Sequence, residues 1–115
     1  MQGLIGPLKE LAEFEELCKN KKKDAGMIRV CGCVNSQKSH MMYAIGDGCK
    51  YKVIACSSET KAKQIYEEYR FLDNNTYLYP AKDFLFYKAD IRSKELVKQR
   101  MEGIQAVLSG EPVTV

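Results

Sequence analysis

No stretch of this sequence comes near the about 18 consecutive apolar residues that a membrane-spanning helix needs. The N-terminus lacks the charged-then-apolar pattern of a secretory leader, so a cytoplasmic protein is expected. That setting argues against a disulfide framework, and the five cysteines, Cys18, Cys31, Cys33, Cys49 and Cys56, are odd in number and scattered. There is no C-x-x-C pair, so the spacing of a structural metal site is missing. Cys31 and Cys33, two apart on an expected strand, face one side and are expected to pack as small apolar groups. Histidine occurs once, as His40, and is read as a packing or surface residue. Internal repeats and low-complexity tracts are lacking. A net charge of +3 is too small to argue for nucleic acid by itself. What is present is ordinary globular composition, 45% apolar and 29% charged over 115 residues, enough for one domain with a proper core.

Along the chain, apolar spacing alternates between helix and strand. Pro7 is expected at the first position of a helix, with Leu8, Leu11, Phe14 and Leu17 as its apolar stripe and Ala12 and Cys18 beside it. Glu10, Glu13, Glu15 and Glu16 cover the other faces, and Lys19, Lys21, Lys22 and Lys23 suit the negative helix end. Residues 1–26 are read as N-terminal helix and linker. Met27 to Cys31 reads as a buried strand, followed by a tight turn opening at Gly32 and a helix from near Lys38. Met41, Met42 and Ile45 form the inner face of that helix, and Gly46-Asp47-Gly48 stops it. Lys52 to Cys56 is the next strand, and Ser57 and Ser58 can cap the helix after it. There Ala62, Ile65, Tyr66, Tyr69 and Leu72 fall on one face, the clearest amphipathic signal in the chain.

Asp73-Asn74-Asn75 is read as a turn and Thr76 to Tyr79 as a third strand, ended by Pro80. Phe84, Phe86 and Tyr87 mark an aromatic loop that either faces a partner or folds back over the sheet edge. Ser93 is expected to cap the last helix, with Leu96, Val97, Met101, Ile104, Val107 and Leu108 on its inner face and Gly110 and Pro112 ending it. Val113-Thr114-Val115 looks like the start of a fourth strand. Strands alternating with amphipathic helices imply parallel pairing through right-handed crossovers. The expected fold is therefore a single α/β domain over residues 1–115. It would have three layers, a mostly parallel sheet flanked by helices in the manner of P-loop NTPases, with residues 27–115 as the parallel βα core. The last strand breaks off, so the chain is expected to be a fragment of a longer protein.

The candidate site is the turn after the first strand. Gly32, Lys38 and Ser39 occupy three of the four fixed positions of the phosphate loop G-x-x-x-x-G-K-[ST]. In such a loop, successive backbone N–H groups and the positive end of the next helix surround the phosphates. The glycine before the lysine keeps a Cβ out of the cradle and takes dihedrals that cost other residues about 1–3 kcal/mol. Gln37 stands at that position, while Asn35 and Ser36 remain small and tolerant of turns. Gly32, Asn35, Ser36, Gln37, Lys38 and Ser39 are therefore expected to form a vestigial phosphate loop that is not functional. No Asp-rich strand end able to hold Mg²⁺ is visible, and no catalytic residue or metal ligand is assigned.

Three stretches together resemble one family. Gly32 to Ser39 resembles a decayed form of the phosphate loop that opens UvrB, the damage-verifying helicase of nucleotide excision repair. Tyr79-Pro80-Ala81-Lys82-Asp83-Phe84-Leu85-Phe86-Tyr87 resembles the "[FY]-P-x-x-[DE]-x-L-x-Y" segment of bacterial transcription-repair coupling factors (Mfd). The helix with Ser93, Leu96 and Arg100, together with Leu108-Ser109-Gly110-Glu111-Pro112, resembles the next stretch of those proteins, and Gly3-Leu4-Ile5-Gly6 is similar to the family's opening. The resemblance covers almost the whole chain and is most specific from Tyr79 to Val115. It implies a UvrB-like first domain that has lost nucleotide binding and acts as scaffold and mimic. The family uses ATP to displace RNA polymerase stalled at DNA lesions and recruits excision repair through UvrA. ATP and Mg would be bound elsewhere in the longer protein, with no cofactor for this piece. The domain after this one would make most of the UvrA contact, other domains would hold RNA polymerase and DNA, and this one would touch its neighbours in the same chain.

Two other readings stay open on the residues. An active P-loop NTPase would have to tolerate Gln37. A nucleic-acid-binding module would use Lys21, Lys22 and Lys23 with the Phe84–Tyr87 loop.

Overall fold

The computed structural model describes residues 2–22, 26–81 and 90–115. They form two compact units, Met1–Asp47 and Gly48–Val115.

The first unit is helical. It contains α1 (Gln2–Lys9), α2 (Ala12–Lys22) and α3 (Asn35–Ile45). One helix was expected before the linker, and two form. Pro7 lies inside α1 rather than at its start, where its missing N–H withdraws one backbone bond, and the chain turns at Leu11, whose N–H bonds the Leu8 carbonyl at 3.1 Å. The apolar spacing still sets the packing. Ile5, Phe14 and Ala44 are buried together, with Leu8, Cys18, Met41, Tyr43 and Ile45 against them. Lys21 completes this unit at the other end of α3, where its ammonium donates to the carbonyls of Ile45 and Asp47. A cation is favoured at those otherwise orphaned carbonyls.

The second unit follows a strand–helix path. β1 (Tyr51–Lys52) leads through α4 (Glu59–Arg70) to an extended segment at residues 76–80, then through α5 (Asp90–Leu108) to β2 (Val113–Thr114). β1 and β2 pair in parallel, Tyr51 opposite Val113 and Lys52 opposite Thr114. The ladder continues beyond them, with the Ile54 N–H on the Val115 carbonyl at 2.8 Å. On its other side β2 meets residues 75–77: Thr114 N–H bonds the Asn75 carbonyl at 3.0 Å and Tyr77 N–H the Thr114 carbonyl at 2.9 Å. A single bridge, Thr76 to Thr114, marks that contact.

The expected three-layer, mostly parallel P-loop fold does not form. Among the described residues the only sheet has two strands, and five helices dominate. The missing strand is Met27 to Cys31: residues 26–31 make no strand, Met27 is fully exposed and Cys31 is exposed rather than packed. Apolar, β-prone residues are not enough for a strand, because its N–H and C=O groups need a neighbouring ladder. The third strand likewise shrinks to the bridge at Thr76. α5 begins at Asp90, so Ser93 lies within it and is not its cap. No helix among the described residues is long and apolar enough to cross a membrane.

Candidate functional site

Gly32 does what its position predicts: its φ is +86°, the left-handed turn that favours glycine. No other atom crowds it, so the demand is conformational rather than steric. Val34 is the residue before α3, extended at φ −73° and ψ 162°, and the Lys38 N–H closes the first helical turn on its carbonyl at 3.2 Å.

The side chains at this turn are engaged with one another. Gln37 reaches back so that its Oε1 accepts the Val34 N–H at 3.2 Å. This is the return half of a capping box, in which the third helical side chain satisfies the N–H ahead of the helix. Lys38 Nζ donates to Asn35 Oδ1 at 3.2 Å. Ser39 is buried, with 3% of its surface exposed, although in a working phosphate loop this hydroxyl would reach a metal ion at the mouth. A neutral amide oxygen thus sits on one of the N–H groups that a phosphate would use. The structure brings Asn35 to Lys38 and Val34 to Gln37, but it supplies no strand behind Gly32 to aim the loop.

Phe84, Phe86, Tyr87 and Lys23 lie outside the described residues. His40 is half-buried on α3. All five cysteines are free thiols, and no group of three or more metal-ligating side chains occurs among the described residues.

The second unit holds a polar cluster that the turn at Asp73 only hinted at. Lys52 Nζ and Asp73 Oδ2 are 2.8 Å apart, their side chains 16% and 19% exposed. Asp73 Oδ2 also accepts the Thr114 hydroxyl at 3.2 Å, and Oδ1 the Asn75 N–H at 3.0 Å. Thr76 Oγ1 donates to the Asp73 carbonyl at 2.6 Å. Burial pushes the Asp73 carboxyl up, but Lys52, the Asn75 N–H and Thr114 together outweigh it and hold it below the usual carboxylate range. Tyr69, 1% exposed and 5.9 Å from the Lys52 ammonium at its ring centre, has its phenol raised by burial. The sequence signal for this cluster is a lysine and two threonines, Lys52, Thr76 and Thr114, where a buried sheet face calls for apolar residues.

Comparison with family models, with curated proteins and with solved structures finds no match to this chain.

Proposed function

We propose that the chain is a non-catalytic scaffold domain of a bacterial transcription-repair coupling factor. On this reading it is cytoplasmic and part of a longer protein. That protein uses ATP, bound elsewhere, to displace RNA polymerase stalled at DNA lesions and recruits excision repair through UvrA. The support comes from residues, not from architecture: the Tyr79 to Tyr87 segment and the Leu108 to Pro112 ending carry the resemblance. The single observation behind the non-catalytic part is Gln37 Oε1 on the Val34 N–H, in the space where a phosphate oxygen would be held.

Two experiments test it. Calorimetric titration of Mg-ATP into the 115-residue chain is expected to show no site tighter than about 1 mM, and a micromolar site overturns the non-catalytic reading. Reading the gene beyond the Val115 codon is expected to reveal helicase motifs in the same frame, and a stop codon there overturns the family reading. Nucleic-acid binding through the lysine cluster is disfavoured by Lys21, whose ammonium already holds the carbonyls at the end of α3.

A further inference from the structure

The second unit contains a cavity that the scaffold reading does not use, and its position follows from the chain path. β1 runs out into α4, whose Tyr69 approaches Lys52 on one face of the sheet. The segment at residues 76–80 precedes α5, and a Cβ placed on Gly103 of that helix would lie 3.6 Å from Tyr79 Cδ2 and 3.9 Å from Tyr77 Cβ. Residues 76 and 77 point to opposite faces of an extended chain. Past the paired residues of β1, β2 and the Thr76 bridge, residues 53–58 and 77–81 border a crevice that α4 and Arg100 of α5 also line. The C-terminal ends of parallel strands are the general location of ligand sites in such arrangements. Here the crevice encloses about 680 Å³, within the size range of small-molecule sites.

Its walls are mostly apolar. Ile54 and Ile65 supply branched aliphatic surface, and Tyr66 and Tyr79 supply flat rings. Among the described residues one cation enters, Arg100 of α5. Its guanidinium carbon lies 4.7 Å from the centre of the Tyr79 ring, and Nη2 donates to the Tyr79 hydroxyl at 2.9 Å. A stacked and bonded guanidinium has already lost most of its rotamer freedom, so binding through it costs less ordering entropy. Arginine carries five N–H donors in a fork that matches an anionic oxygen pair, and the tyrosine hydroxyl takes one. Glu59, the one carboxylate side chain that the described residues put on the cavity wall, is paired with Lys63 at 2.6 Å.

We propose that this cavity binds a small planar aromatic ligand bearing one anionic group, the ring lying among Ile54, Ile65 and Tyr66 and the anion meeting Arg100. The proposal does not depend on the phosphate loop being inactive, since no residue of the Gly32–Ser39 loop takes part.

The test uses the isotope-labelled 115-residue chain, titrated with 1-naphthoate and, in parallel, with uncharged 1-naphthalenemethanol. Naphthoate is expected to bind saturably, shifting the amides of residues 54–58 and 77–79, at least about tenfold tighter than the alcohol. Arg100→Gln is expected to erase that preference without weakening the alcohol, and Arg100→Lys to retain part of it. Ala62→Phe, which fills the cavity from α4 and leaves Arg100 alone, is expected to abolish binding of both compounds. Dispersed amide signals for Tyr69 and Val113 identify variants that keep the fold. Equal affinity for the two probes overturns the proposal. So do shifts gathered on the exposed residues Val97, Met101 and Leu108 of α5, or unchanged binding in folded Ala62→Phe.

Discussion

In Met1–Asp47 the packing is helix on helix around Phe14, and the segment leading to α3 is left without a ladder. In Gly48–Val115, backbone bonds on both sides of β2 and a polar cluster beneath it hold a parallel arrangement together. Both stretches contain an apolar, strand-like run ahead of a helix: Met27 to Cys31 in one, Lys52 to Cys56 in the other. Among the described residues only the second run has a neighbour to bond, at Val115, whose N–H reaches the Lys52 carbonyl and whose carbonyl accepts the Ile54 N–H. The difference teaches that strand formation belongs to a pair of segments, and that a run without a partner leaves its backbone groups to solvent.

The largest expected effect falls on the helical unit. Phe14 is 5% exposed at the centre of a core whose other buried members, among the described residues, are Ile5 and Ala44. Phe14→Ala is expected to cost about 3–4 kcal/mol. That is a large share of what so small a core can supply. Hydrogen exchange should show the amides of Ile5 and Ala44 losing protection while those of Ile54 and Val115 keep theirs. Equal loss in both places would mean that the two units unfold as one and would break the comparison.

Next comes the polar cluster. Asp73→Ala takes the carboxylate from the Lys52 ammonium, leaving Tyr69 beside it, and takes an acceptor from Thr114 and Asn75. Full burial would make this a loss of about 3–5 kcal/mol, and partial exposure lowers the expectation to about 2–3 kcal/mol. Urea unfolding followed at Val115 and Tyr77 measures it. Acid gives a second view of the same group. The folded carboxyl titrates below its unfolded value, so its contribution is present above that unfolded value and fades as pH falls through the lower, folded one. Protection of the Val115 amide, taken relative to its intrinsic exchange rate at each pH, is therefore expected to fall below about pH 4 in the native chain, and in Asp73→Ala this step should vanish.

How much of this was legible in the residues alone varies by element. α4 was readable almost entirely: Ser58 caps it, its Oγ accepting the Lys61 N–H at 3.3 Å, and Tyr69 is the most buried residue of the expected face. The turn after α5 is also as expected, with Gly110 at φ +78°. The face of α5 was not. Val97, Met101, Ile104 and Leu108 remain 57%, 60%, 43% and 78% exposed, and the buried side carries Gly103 against Tyr77 and Tyr79. Hydrophobic spacing cannot see a glycine on the packed side of a helix, nor an arginine that packs by stacking on a tyrosine. The phosphate-loop residues were legible as a local turn at Gly32, but the bond from Val34 to Gln37 required a side chain to fold back on its own helix. The packing of α5 carries a modest and positive prediction. A Cβ at Gly103 would meet Tyr79 at an ordinary contact distance of 3.6 Å, so Gly103→Ala should stabilise the second unit by about 0.5–1 kcal/mol through helix propensity alone. A loss instead would show that α5 sits closer to the sheet than this spacing indicates.

The smallest effect bears on the loop itself. α3 has no side-chain acceptor at Val34, and its start is completed only by the return bond from Gln37, whereas α4 has a true cap in Ser58. Gln37→Ala should therefore change stability by no more than about 0.5 kcal/mol, since the bond is exposed and alanine is the better helix former. The informative readout is the Val34 amide, which should exchange faster once Oε1 is gone. Inorganic phosphate added to this variant at about 10 mM tests whether freeing one N–H restores an anion cradle. A cradle needs several converging N–H groups and an aimed loop, and here the run behind Gly32 is exposed while Ser39 is enclosed. No shift at residues 34–38 is expected. A saturable shift confined to those amides would mean that Gln37 alone was keeping the phosphate out.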